Sequence, residues 1–273
     1  MPDTFRSVGI TRVHEGRRAT DVDRAATEEP LEIRLHGRSF AVIMRTPGAD
    51  RELAAGFLLA EGVLTAAGDL GAIEYCTDPV AVDYSENIVN VTLANGTADA
   101  LDRLLADRRQ VTTNSSCGLC GRRTIESLRV DRPPIVAGWT VRASTLGTLP
   151  ETLRAAQAAF DETGGLHAAG LFTPDGRLDT SAEDVGRHNA VDKVIGRMLM
   201  REALPLSDRL LFVSGRASYE IVQKAFLAGI PLVGSVSAPS SLAIDLARDA
   251  GVTLVGFVRG ESFNIYAHPA RIA

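Results

Sequence analysis

Two of the chain's three cysteines, Cys117 and Cys120, stand three positions apart in "TTNSSCGLCGRRT", residues 112–124. Such a pair offers thiol chemistry of three kinds. A structural zinc needs four ligands, usually two such pairs, and only Cys76 and five histidines remain, at no zinc-like spacing. A thioredoxin-like exchanger puts its CxxC at the start of a helix that follows a strand, whereas here polar residues precede the pair and Gly118 and Gly121 flank it, as in a loop. In sulfur carriage a thiolate attacks a donor persulfide, keeps the outer sulfur and passes it on. A polar, glycine-flanked loop gives such a carrier reach, and Arg122 and Arg123 favour the thiolate. The stretch is too polar for two inert core cysteines. Spacing alone leaves the three chemistries open.

A second set of residues suits an anion. "VSGRASYE" reads as strand, glycine turn and helix start, so backbone N–H groups at 215–218 and the positive helix end can point at a phosphate, with Arg216 beside them. The plainer reading makes Ser218 an N-cap and leaves Arg216 solvated. "SAPSSLAID" repeats the device after the next strand, and "EDVGRHNAVDK" adds Arg187, His188, Asn189 and Lys193 at another helix start. Several polar clusters at strand ends of one sheet favour a shared crevice for a phosphorylated ligand. His188 sits among polar residues and is the candidate for ligand contact. His167, between apolar residues in "LHAAG", reads as a core histidine, and His14, His36 and His268 have no evident constellation.

The elements that must carry these residues fall into two regimes. Residues 1–29 are polar and read as a partly ordered segment, with an edge strand at "GITRV". Over 30–110 the pattern is mixed α+β. "LEIRL" and "SFAVIMRT" form a hairpin about His36-Gly37-Arg38, and Asp50 caps a helix through "RELAAGFLLAEGVL". Strands follow at about 71–76, 80–84 and 87–93, then an amphipathic helix in "ADALDRLLADR". Residues 111–140 are the CxxC loop and a linker. Over 141–273 helices alternate with short apolar strands: helix "LRAAQAAFDETG", strand "LHAAGLF", turn "PDG", a helix over 187–202, "LLFVSG", helix "YEIVQKAFLAG", "PLVGSV", helix "SSLAIDLARDAG" and "VTLVGFV". Continuous apolar strands between helices predict a sheet covered on both faces. The fold class is therefore α/β within an α+β whole: a three-layer α/β/α C-terminal domain, partly parallel, after a smaller mixed domain.

At 273 residues, 45% hydrophobic and 23% charged, the chain has the makeup of an ordinary globular protein able to bury its own core. Its formal charge of −5 argues against a broad nucleic-acid or anionic-membrane surface. No apolar run approaches the ~20 residues that span a bilayer, and the N-terminus has no secretory apolar stretch, so the expected location is cytoplasmic, where thiols stay reduced.

"SSCGLCG", "EDVGRHNAVDKVIG", "SGRASYEIVQKA", "PSSLAIDLA" and "GFVRGESFNIYAH", in this order from about Leu31 to the C-terminus, closely resemble the FdhD family of formate dehydrogenase accessory sulfurtransferases. The resemblance implies a cytoplasmic carrier, a homodimer, that accepts persulfide sulfur from a cysteine desulfurase. It would pass the sulfur to the molybdenum cofactor in its bis-guanine-dinucleotide form, as needed by the formate dehydrogenase apoprotein. It implies persulfide on the loop cysteines, matching Cys117 and Cys120, with Cys117 the carrier. Cofactor binding would fall on Phe257, Val258, Arg259, Gly260, Glu261 and Ser262, joined by Arg216, Ser218 and His188 from the turns. The alternative function is a cofactor-binding or insertion chaperone whose CxxC only senses redox state. The family's second half is similar to the cytidine deaminase fold. Zinc deaminases need H-x-E and P-C-x-x-C; here "HAA" at 167–169 lacks the Glu and "PSSLA" at 239–243 lacks both cysteines. Such a fold would hold no deaminase site, and no zinc is expected.

Overall fold

The computed structural model describes residues 4–76, 85–94 and 132–273. The loop bearing Cys117 and Cys120, the helix expected over 98–108 and the strand expected over 80–84 lie outside the described residues. Among the described residues the strands form three sheets.

The first is an antiparallel ribbon of β1 (Phe5–His14) and β2 (Arg17–Ala26). Glu15 and Gly16 turn it at φ 48° and 79°, the left-handed pair that a two-residue hairpin turn requires. Residues 1–29 were expected to be only partly ordered, and the ribbon corrects this. Most of its residues are exposed on both faces, so the alternation that betrays a half-buried strand is missing from the sequence.

The second sheet has the order β4-β3-β6-β5, built from β3 (Glu29–Leu35), β4 (Arg38–Arg45), β5 (Leu70–Tyr75) and β6 (Ile88–Leu93). His36 and Gly37 form the expected hairpin turn, at φ 49° and 79°. Leu31, Ile33 and Leu35 alternate inward and meet α1 (Asp50–Ala60), whose Leu53, Leu58 and Leu59 are buried with them.

The third sheet carries the second half in the order β12-β11-β10-β9-β7-β8. Its elements are α2 (Ala143–Ala155), α3 (Ala158–Thr163), β7 (His167–Phe172), β8 (Leu178–Asp184), α4 (Arg187–Met200), β9 (Leu210–Val213), α5 (Tyr219–Leu227), β10 (Leu232–Ser235), α6 (Ser241–Ala250), β11 (Thr253–Arg259) and β12 (Ser262–Ala267). Strands β9, β10 and β11 are parallel, while β7, β8 and β12 join antiparallel. Leu211, Val213, Val233 and Leu254 pack with α4, α5 and α6 on one face. Phe212, Leu210, Leu232 and Val255 pack with Leu146, Leu149 and Leu153 of α2 on the other. The sheet is thus the middle of three layers, as its unbroken apolar strands predict.

Strands β8 and β12 were not anticipated, because "LDTSAED" and "SFNIYA" are too polar to read as buried strands. The single helix expected over 153–164 is two. Gln157 leaves the helical region at φ −96°, ψ 67°. A fresh start follows, where the Glu183 carboxylate accepts the N–H groups of Ala159 and Phe160 at 3.0 and 2.8 Å. Helix α2 also begins ten residues earlier than expected and runs through Pro150, the kind of residue that normally marks a helix start.

The halves meet where α1 crosses α4. A Cβ on Gly56 would stand 2.0 Å from the Asp192 carbonyl oxygen, and one on Gly196 1.9 Å from that of Glu52. Only glycine permits this approach. The apolar side chains of β3, β6 and α1 consequently share one cluster with those of α4, α5 and α6.

Candidate functional site

The carboxyl ends of β9, β10 and β11 open on the same side of the sheet, and the start of β7 lies beside them because β7 runs antiparallel to β9. After β9 the chain passes through Ser214, Gly215, Arg216 and Ala217 into α5. After β10 it passes through Ser237 and Pro239 into α6. The two turns lie side by side: Ala217 and Pro239 form a parallel bridge, and the Ser240 N–H donates to the Ala217 carbonyl at 3.1 Å. Ser240 is a capping serine, its hydroxyl accepting from the Ala243 N–H at 3.3 Å.

Ser218 occupies the same place on α5 but its side chain makes no capping bond. Its hydroxyl lies 3.0 Å from Nε2 of His188, the second residue of α4, and that nitrogen is also 2.8 Å from Glu220 Oε2. That nitrogen hydrogen-bonds the Ser218 hydroxyl, in a direction set by the ring's tautomer, and the Glu220 carboxylate stands beside it. Burial holds the His188 imidazole below its usual range, and Glu220 only partly opposes this. The ring is therefore neutral near pH 7. Serine and carboxylate share one ring nitrogen, whereas a relay that activates a serine needs them on opposite nitrogens. This arrangement does not make Ser218 a nucleophile.

Cationic groups surround this point. Arg216 is exposed on the turn, and the Nε of Arg187 is buried with no hydrogen-bond partner among the described residues. Burial, then Arg187, His188 and Arg216, lower the pKa of His167, which puts all three within electrostatic reach of that ring.

Buried polar contacts fix the start of α4. Fully buried Asp184 accepts from the N–H groups of Gly186 and Thr46 and from Asn189, at 2.8, 3.2 and 2.8 Å, and pairs with Lys193 at 2.7 Å. Lys193 also donates to the Thr46 carbonyl and Asn189 to that of Met44. Asn189 and Lys193, expected at the ligand, are instead anchors between the two halves, because helix periodicity turns them inward. Asp192, pushed up to about 6 by burial, pairs with Lys224 at 2.7 Å and ties α4 to α5.

The segment expected to bind cofactor begins beside the second turn. Phe257 takes φ 56° where the register between β11 and β12 slips, its N–H donates to the Ser237 carbonyl at 3.2 Å, and its side chain is 38% exposed. Val258 is buried. Arg259 pairs with Ser262 across a turn through Gly260 and Glu261, all four exposed. The turn rests on α2, where a Cβ on Gly147 would stand 2.4 Å from the Gly260 carbonyl oxygen.

Beside the first turn, between the end of α2, α3 and the sheet, lies a cavity of about 990 Å³. Leu153, Phe160, Leu166, Phe212 and Val236 give it apolar walls, and His167 and Ser214 also line it. His167, expected in the core, is half-buried and lines this space. The structure therefore brings together His188, Ser218, Arg216 and the start of the 257–262 segment, while Cys117 and Cys120 lie outside the described residues. Glu220 and the cavity were missed. Glu220 could have been read as an acid in the first turn of a helix; nothing in "AAQAAF" signals a cavity.

The model of the FdhD/NarQ family matches residues 26–273. The chain is 51% identical over 276 residues to a protein of Streptomyces avermitilis named sulfur carrier protein FdhD, covering 97% of this chain and 94% of the relative. It is 46% identical over 268 residues to the protein of the same name from Sulfolobus acidocaldarius, covering 98% of each. A solved structure described as a formate dehydrogenase accessory protein from Desulfotalea psychrophila superposes with a TM-score of 0.78, at 26% identity, over 99% of this chain and 100% of that one.

Proposed function

This chain belongs to the FdhD/NarQ family, and from that premise we propose that it carries sulfur from a cysteine desulfurase to the bis-guanine-dinucleotide molybdenum cofactor required by formate dehydrogenase. The observation that carries the first part is the near-full-length likeness to relatives named as sulfur carriers. The cofactor is here a substrate. What supports its place is the pair of strand-turn-helix loops with Arg216, Arg187 and neutral His188 around them, a setting that suits phosphate oxygens.

The chemistry follows from the thiols. The Cys117 thiolate attacks the outer sulfur of the donor's persulfide; a new S–S bond forms, the donor's S–S bond breaks, and the donor leaves as a thiolate. Delivery as sulfide requires two electrons. The Cys120 thiolate supplies them by attacking the inner sulfur on Cys117, which releases hydrosulfide and leaves a Cys117–Cys120 disulfide for a cellular dithiol to reduce. Ser218, Glu220 and His188 take no part in bond making; they hold the acceptor. A homodimer working in the cytoplasm completes the reading. No helix among the described residues is long and apolar enough to cross a membrane.

Incubation with a desulfurase and cysteine, followed by mass spectrometry, tests the proposal. A carrier gains one labile sulfur that cyanide or a thiol removes. A chaperone whose thiols only sense redox state gains none, and that result would displace sulfur carriage.

A further inference from the structure

Two residues of α4 and two of α5 form a buried square of titratable groups. His188 and Asp192 lie about one helical turn apart on α4, Glu220 and Lys224 about one turn apart on α5, and all four residues are buried. Between the helices, His188 Nε2 stands 2.8 Å from Glu220 Oε2, and Lys224 Nζ donates to both carboxylate oxygens of Asp192 at 2.7 and 2.8 Å. The first crossing opens on the anion turn, because Nε2 also lies 3.0 Å from the Ser218 hydroxyl. With the ring neutral the four groups together carry one net negative charge; with the ring protonated they carry none. Unbalanced buried charge is costly, so the square itself favours the proton. Burial opposes it, as do the cations Lys224 and Arg187. Arg187 stands against the turn: a Cβ on Gly215 would lie 3.7 Å from its Cδ, and its buried Nε has no hydrogen-bond partner among the described residues.

We propose that an anion arriving at the Gly215–Ser218 turn draws a proton from solvent onto His188, so that both crossings between α4 and α5 become ion pairs and binding is coupled to proton uptake. The proposal rests on the reading that the turns hold phosphate, and it adds how the buried groups behind them respond. A phosphate there offsets the positive field of Arg187 and Arg216 and adds negative charge beside the ring. A protonated ring donates from both nitrogens, and the two neighbours of Nε2, a hydroxyl and a carboxylate, can both accept. The groups that face the ring are Glu220, Ser218 and Lys224 from α5, Arg187 from α4 itself and His167 from β7. Those that face Asp192 are Lys224 and Glu220 from α5 and Glu61 at the end of α1. Asp192 titrates at about 6, so it is ionised at neutral pH and keeps Lys224 engaged.

The test follows the His188 ring by proton NMR of the full chain across about pH 5 to 8, with and without GDP, the signal being identified by its loss in His188→Gln. GDP is expected to raise the pH at which the ring titrates by about one to three units. A ring that titrates at the same pH with GDP bound overturns the proposal and leaves the phosphate reading intact. Asp192→Asn leaves Lys224 facing Glu220, so the GDP-bound ring is expected to titrate lower than in the wild type; a ring unmoved by that change overturns the square as a unit. Should His188→Gln fail to fold, calorimetry at neutral pH in buffers of different ionisation enthalpy decides, with wild type set against Glu220→Gln. The wild type is expected to take up as much as about one proton more on binding GDP, and equal counts overturn the proposal. If the wild-type protein does not bind GDP, the phosphate reading falls and the proton coupling falls with it.

Discussion

The Ser218 hydroxyl and the His188 ring meet at 3.0 Å across the starts of two helices, on the nitrogen that also faces Glu220. This contact takes Ser218 away from the capping role that its counterpart Ser240 performs. Exposed Arg216 on the turn thus stands close to a buried imidazole that hydrogen-bonds Ser218, the setting in which we propose that phosphate binds.

Arg216→Ala should therefore weaken GDP binding. A charge-assisted contact contributes about 1.5–3 kcal/mol, roughly tenfold to more than a hundredfold in affinity. Because Arg216 is exposed, the melting temperature should hardly change. Calorimetry and thermal unfolding of the same variant separate the two effects; equal GDP affinity in variant and wild type would remove Arg216 from the site. Arg259→Ala, at the tip of the 259–262 turn, should show the same pattern with a smaller loss.

The buried histidine gives stability a pH dependence of known sign. Its folded pKa is lowered below 6.5, so the contribution of His188 is complete above that value and is lost as the pH falls through the folded value. Asp192 acts oppositely: raised from 3.8 to about 6, its contribution is complete below 3.8 and is lost as the pH rises through about 6. Comparing wild type with His188→Gln removes the Asp192 effect, which both share. The stability advantage of the wild type should shrink as the pH drops from 7.5 to about 5. Urea unfolding across that range checks it, and an advantage that grows on acidification would contradict a buried, neutral ring.

The crossing of α1 and α4 sets a third expectation. Alanine improves helix propensity by up to about 1 kcal/mol over glycine. At Gly56, however, its methyl would stand 2.0 Å from a backbone oxygen that cannot swing aside. Gly56→Ala should destabilise by about 2 kcal/mol or more despite the better propensity. An unchanged urea midpoint would mean that the two helices have room to part. The same separation would disturb Asp192 and the start of α4, so GDP binding should weaken in parallel.

Much of this arrangement is legible in the sequence, and the rest is hidden for physical reasons. Apolar runs such as "LLFV" and "LVGS" announce buried parallel strands, and the turns after them announce helix starts. Ser218 and His188 could be nominated because serine, glycine and histidine are unusual company at such ends. Their contact could not, since it depends on α4 and α5 crossing the sheet at adjacent places. Asn189 and Lys193 share the polar string of His188, but rotation about the helix buries them against Asp184. Gln157 hides in an alanine-rich helical pattern, because a break induced by Glu183 from a distant strand leaves no local mark. The exposed ribbon, apolar on neither face, gives no periodicity to read.

The central claim is that Cys117 is the sulfur carrier, and the most direct measurement loads the protein with a desulfurase and radiolabelled cysteine. Label on the protein and activity of a co-expressed formate dehydrogenase are then followed. A thiolate nucleophile has no substitute among its neighbours. Cys117→Ala should take up no transferable label and support no dehydrogenase activity while retaining wild-type melting and GDP affinity. Cys120→Ala should still load but release sulfide poorly. Full label and full activity in a folded Cys117→Ala protein would contradict the carrier assignment.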